Sequence, residues 1–271
     1  MKYPIVLALS VCLLTTTVPA FADDAAWHTY MQAGCKAHIK GRYAEAEKQI
    51  VKARAEAEKF GEKDPQLHLA ITLNELGLVY LEQKKTGKAE VLFKQALAMH
   101  EKLHGADHPD VAAQLDNLAA CCDAKGNSDE AKHCLERALE IRKKCMGPDH
   151  PAVATTLNNL AGLCNSKGDF KHAEELLKQA VEIDEKKSPA NTAALAADLS
   201  NLSGMYVKQG KFIEAQPLAK RALEIEEKSS KPNALSLAGA LENYATVLRK
   251  LGREPEAKNL LSRAKKIRGT K

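Results

Sequence analysis

Leu157-Asn158-Asn159-Leu160-Ala161 has near-copies at equal steps on both sides. Leu115-Asp-Asn-Leu-Ala119 lies 42 residues before it, and Leu199-Ser-Asn-Leu-Ser203 lies 42 after. Leu241-Glu-Asn-Tyr-Ala245 continues the step, and Leu73-Asn-Glu-Leu-Gly77 keeps it at the other end. Other columns share the period. Glycines recur at Gly126, Gly168, Gly210 and Gly252, and alanines at Ala89, Ala131, Ala173, Ala215 and Ala257. Met99, Ile141, Ile183, Ile225 and Ile267 form a further apolar column. Several independent columns on one step mark a chain built from stacked supersecondary units.

Within a unit the spacing is helical. Leu115, Leu118, Ala119 and Cys122 fall at i, i+3, i+4 and i+7, one face of a helix, and Gly126 breaks it. A second stripe follows through Ala131, Leu135, Ala138, Leu139 and Ile141. Each unit is therefore expected to be two antiparallel helices, A and B, kept close by small residues such as Ala119 and Ala131. The links Gly105-Ala-Asp-His-Pro109 and Gly147-Pro-Asp-His-Pro151 end a helix B with glycine and open the next helix A with proline. In the second unit Lys84 stands where a turn glycine is expected, which predicts a strained turn or one shifted to Gly87.

These motifs, closest over residues 152–183, resemble the tetratricopeptide repeat in its 42-residue, kinesin-light-chain-like form. The resemblance implies an all-α, right-handed α-solenoid of about six helix pairs, near 27–69, 70–111, 112–153, 154–195, 196–237 and 238–269. It also implies a concave groove lined by helices A that binds a protein or an extended peptide. Carried over residue by residue, the groove positions are Asn74, Asp116, Asn117, Asn158, Asn159, Asn165, Asn201 and Asn243, with Glu75, Ser200 and Glu242 beside them. An asparagine ladder at 117, 159, 201 and 243 carries donors and acceptors that suit a peptide backbone; its other reading is a brace between helices. Kinesin light chains carry a heptad region before the repeats; here a stretch that reads as a signal peptide is expected in its place. The groove also lacks the basic residues that clamp a terminal carboxylate in chaperone-binding repeats.

Composition narrows the partners. The formal charge is +5, from 40 Lys+Arg against 35 Asp+Glu, and aromatics are 4% of residues. A mild excess of base spread along the chain, with few stacking rings, does not describe a nucleic-acid surface. Residues 1–22 read as a secretory signal. Lys2 forms the basic start, Ile5 to Leu14 the apolar core, and Ala20-Phe21-Ala22 the small-residue cleavage pattern. The expected mature chain begins near Asp23, is periplasmic or secreted, and has no later transmembrane segment. Six of the seven cysteines follow the signal, an even number that would allow disulfides in an exported chain. Cys122 and Cys164 occupy the same core position in adjacent units. Cys121, Cys134 and Cys145 are expected to be exposed.

His100-Glu101-Lys102-Leu103-His104 matches the H-E-x-x-H pattern of zinc hydrolases, in which two histidines on one helix face hold the metal and the glutamate is the base. It occupies the end of a helix B, where the other units carry ordinary charged residues; hydrolysis would also need a third ligand and a cleft, and the nearby His108 lies in the link, where its equivalent His150 belongs to the repeat pattern. The sequence reading therefore assigns no catalytic residue, no metal and no cofactor. Leu260, Leu261 and Ile267 on the last helix would leave an apolar edge, a possible contact for a homo-oligomer.

Overall fold

The computed structural model describes residues 25–60, 66–187, 192–229 and 233–269. Residues 1–22, read above as a secretory signal, and the link Ser188-Pro189 lie outside them. Among the described residues there are twelve α-helices and no strands. They form two compact units, one within residues 4–147 and the other within 148–271. The first unit holds α1 (Ala25–Ile39), α2 (Tyr43–Ala57), α3 (Leu67–Glu82), α4 (Thr86–His104), α5 (Pro109–Ala124) and α6 (Ser128–Met146). The second holds α7 (Pro151–Ser166), α8 (Phe170–Lys187), α9 (Thr192–Lys208), α10 (Phe212–Lys228), α11 (Ala234–Lys250) and α12 (Glu254–Gly269). Odd-numbered helices are the A helices and even-numbered ones the B helices. No described helix is long and apolar enough to cross a membrane.

The two kinds of helix are buried differently, and this governs everything that follows. Helix α6 buries one stripe: Ala131, Leu135, Ala138, Ile141 and Arg142. Helix α5 buries ten residues spread around its circumference, including Gln114, Asp116 and Asn117. An A helix packs against its own B helix and against the pair before it, so polar residues on its flanks enter the interior. Cys121 is an instance. It was expected at the surface, yet it is fully buried beside Leu78, Ala89 and Phe93 of the preceding pair. Burial pushes the Cys121 and Cys122 thiols up to about 12. Cys145 is exposed as expected, and Cys134 is half-buried.

Inside the pairs, one contact is tuned by size. The small A-helix residue and the B-helix residue sixteen positions later read Gly34/Ile50, Gly77/Phe93, Ala119/Leu135, Ala161/Leu177 and Ser203/Ala219. A Cβ at Gly77 would sit 2.6 Å from the Phe93 ring, and one at Gly34 would sit 2.5 Å from Ile50 Cγ1. Where the A residue gains a hydroxyl, at Ser203, its partner shrinks to alanine and the hydroxyl donates to the Ala215 carbonyl at 3.1 Å. Interiors packed to crystal-like density demand such compensation.

The turn between α3 and α4 is not displaced to Gly87. Lys84 itself takes the left-handed conformation, with φ of 60°. The Lys85 N–H reaches the Tyr80 carbonyl at 2.8 Å, as the Asn127 N–H reaches Cys122 in the glycine-containing turn. The helix-capping bonds hold a non-glycine residue where it costs about 1 kcal/mol. The Asp-His-Pro link also has a physical basis. His108 Nδ1 accepts the Asp110 N–H at 3.2 Å, and His150 Nδ1 accepts the Ala152 N–H at 3.1 Å. Each imidazole thus caps an A helix whose first residue is proline. On α12, Leu260 and Ile267 pack against the core, so of the expected apolar edge only Leu261 is exposed.

Candidate functional site

The asparagines at the expected groove positions bond mainly to the A helix before them. Asn117 Nδ2 donates to Asn74 Oδ1 at 2.8 Å, Asn201 Nδ2 to Asn158 Oδ1 at 3.1 Å, and Asn243 Nδ2 to the Ser200 carbonyl at 3.0 Å. All three bonds join residues 43 apart, which is one repeat plus one residue. Asn74, Asp116, Asn117, Asn159 and Asn165 are buried, whereas Asn158, Asn201 and Asn243 are half-buried. Asn165 Oδ1 accepts from Lys208 Nζ at 3.2 Å.

Buried acids accompany these asparagines. Asn74 Nδ2 donates to Glu75, whose carboxyl burial pushes up to about 7 against the hydrogen bonds from Asn74 and Cys35. Asn158 Nδ2 donates to Asp198 Oδ1 at 2.6 Å. Burial, with the neighbouring Asp184 carboxyl adding to it, pushes Asp198 up to about 8. A folded pKa of about 8 lies above the unfolded value of about 3.9. The folded state therefore holds an extra proton between those values, and stability is lost as pH rises through about 8. The second unit is expected to lose about 2 kcal/mol between pH 6 and pH 8, from one proton linked at up to about 1.4 kcal/mol per pH unit. Asp198→Asn should flatten that slope in urea unfolding followed by circular dichroism. An unchanged slope would remove Asp198 as its source.

Of the eight expected residues, only Asn201 and Asn243 line a cavity found in the second unit. The cavity is about 540 Å³ and lies between α9 and α11, with α10 at its back. Its walls are mostly small: Ala193, Ala196, Ala197, Gly204, Gly239 and Ala240. A Cβ on Gly239 would meet nothing within 4 Å, so the space there is open. The cavity's polar residues are Ser200, Asn201, Lys208, Glu226, Ser236, Glu242, Asn243 and Thr246. Arg268 holds Glu242 through two bonds of 2.7 and 2.9 Å. Glu226 is 8% exposed, has no ion-pair partner among the described residues, and is pushed up by burial. The side-chain oxygens of Asn201 and Asn243 accept no hydrogen bond among the described residues. The cavity thus presents acceptors, which suit a ligand rich in N–H groups.

Sequence reasoning missed Glu226, Ser236 and Gly239. A signal existed in the column that runs Thr155, Ala197, Gly239, where the side chain shrinks toward the end of the chain.

Paired antiparallel helices repeating on a 42-residue step, with small residues at the A/B contact and glycine at the turns, define a helix-pair repeat protein. The tetratricopeptide-repeat profile matches residues 24–101, 68–144, 124–186 and 194–269, and the chain belongs to that family. Among curated proteins, kinesin light chain-related protein 2 of Arabidopsis thaliana is 34% identical over 100 residues, which is 37% of this chain. The match spans only 15% of that relative's length. Among solved structures, BtubC (BKLC) from P. vanneervenii has a TM-score of 0.72 at 24% identity, covering 83% of this chain and 91% of its own. NprR in complex with its cognate peptide NprX has a TM-score of 0.64 at 16% identity, covering 95% and 70%.

Proposed function

We propose that this chain is an exported, non-catalytic scaffold that binds an extended peptide or a peptide segment of a protein through the cavity between α9 and α11. The observation that carries this reading is Glu226: a buried carboxyl with no ion-pair partner among the described residues, facing an open cavity walled by small residues. A buried acid at a cavity wall gains most from a ligand that supplies a cation or N–H donors. The free acceptor oxygens of Asn201 and Asn243 add to the same preference. The expected occupant is therefore an extended segment with a basic side chain or a free amine at Glu226. An acidic segment would fit poorly. That NprR, a protein of the same fold, is solved with a peptide supports a peptide ligand here. Export rests on residues 1–22, and N-terminal sequencing of the protein from the extracytoplasmic fraction should begin near Asp23.

Gly239→Trp supplies the test, because a side chain there enters open space rather than the core. Helix α11 should tolerate it, since glycine is a poor helix former in the interior of a helix. In a crosslinked pull-down from the native compartment, Gly239→Trp is expected to reduce partner recovery at least about tenfold, with unchanged circular dichroism. A buried Glu226 cut off from its ligand cation supports an effect of that order. Equal recovery by both baits would move the binding surface away from this cavity.

A further inference from the structure

The sequence pattern His100-x-x-x-His104 lacked a third ligand, and the fold provides one from the next helix. His100 and His104 lie on the last turn of α4, and Asp110 on the first turn of α5. His100 Nδ1 and His104 Nε2 each lie 3.8 Å from the same oxygen, Asp110 Oδ2. One ligand atom from each of the three residues falls within 4.8 Å of the others. We propose that these three side chains form a site for a divalent transition ion of the zinc class, clipping the second helix pair to the third.

Four observations carry the assignment. First, His100 is 4% exposed, yet its Nδ1 has no hydrogen-bond partner among the described residues. A buried, unpaired imidazole nitrogen beside a carboxylate is costly unless something completes it. Second, tetrahedral bonds of about 2.0–2.1 Å place ligand atoms about 3.3 Å apart. Each histidine nitrogen, at 3.8 Å from Asp110 Oδ2, would close by about half an ångström to meet that value. Third, two imidazoles and one carboxylate suit zinc and its neighbours, not magnesium or calcium. Fourth, the repeat itself shows that the fold does not require this set. The residues 42 positions later are Arg142, Met146 and Ala152, which cannot form it.

The same geometry argues against hydrolysis. Glu101, the base of the H-E-x-x-H mechanism, accepts from Arg137 Nη2 at 2.6 Å and is held on α6. His108 stacks on His104 with centroids 4.3 Å apart, and its Nδ1 is committed to capping α5. It therefore walls the site. The ion would tie the end of α4 to the start of α5, adding to the packing of Leu97 against the α5 core residues Val111, Ala112 and Leu115.

The test is a zinc titration of the 271-residue chain against a chromogenic chelator, repeated with cobalt for its visible spectrum. One ion per chain is expected. Affinity should fall at least about tenfold in both His104→Asn and Asp110→Asn and be unchanged in Glu101→Gln. The cobalt form should show visible bands without strong thiolate absorption in the near ultraviolet. Zinc at about a hundredfold excess over Kd should raise Tm by on the order of 5 °C in the native chain, and not in either variant. His104 and Asp110 are 29% and 47% exposed, so neither variant empties the core. No zinc binding, undiminished binding in both variants, or a thiolate band would each overturn the site.

Discussion

Arg142→Met is expected to destabilise the first unit by about 3–5 kcal/mol. Arg142 and Asp116 face each other across α6 and α5 at 2.5 Å, with 6% and 0% exposure. Removing the guanidinium leaves a carboxylate buried without its counter-charge. Burial already raises the Asp116 carboxyl, with Arg142 acting against it, so the variant must take up a proton to fold. Its deficit should therefore shrink as pH falls toward 4 and grow as pH rises, because the folded pKa then lies well above the unfolded one. Asp116→Asn added to Arg142→Met should recover most of the loss. The repeat supports this, since Asn74 and Asn158 occupy the positions equivalent to Asp116. Urea unfolding at pH 5 and pH 8 measures both effects. A deficit independent of pH, with no recovery in the double variant, would mean that the loss comes from packing rather than charge.

Gly77→Leu is expected to cost about 3 kcal/mol, the upper end of the overpacking range. Its Cβ alone would lie 2.6 Å from Phe93 Cε1 and 2.9 Å from two more ring carbons, and Phe93 is fully buried. The informative companion is Gly77→Ala with Phe93→Leu, which rebuilds the Ala119/Leu135 contact of the next pair. That double variant should unfold within about 1 kcal/mol of the native chain, since volume-conserving exchanges are well tolerated. If the double variant were no better than Gly77→Ala alone, the contacts would not be interchangeable between repeats.

The sequence by itself determined that the chain is a series of helix pairs, because the period in Leu, Gly and Ala columns is a direct image of identical local packing. It also marked the A-helix asparagines and the His100/His104 pair as positions worth attention. It could not say which of these face a cavity. A helical stripe reports one buried face, but the A helices are buried on two. The second face, against the preceding pair, is set by residues about 42 positions away, and it captured Cys121 and Asn117 alike. Only tertiary structure decided that Asn117 spends its amide on Asn74 while Asn201 and Asn243 border an open space. It alone exposed Glu226 to that space and turned Lys84 left-handed without a glycine. And it alone brought Asp110 to the two histidines, because a link of four residues folds the start of one helix back onto the end of another.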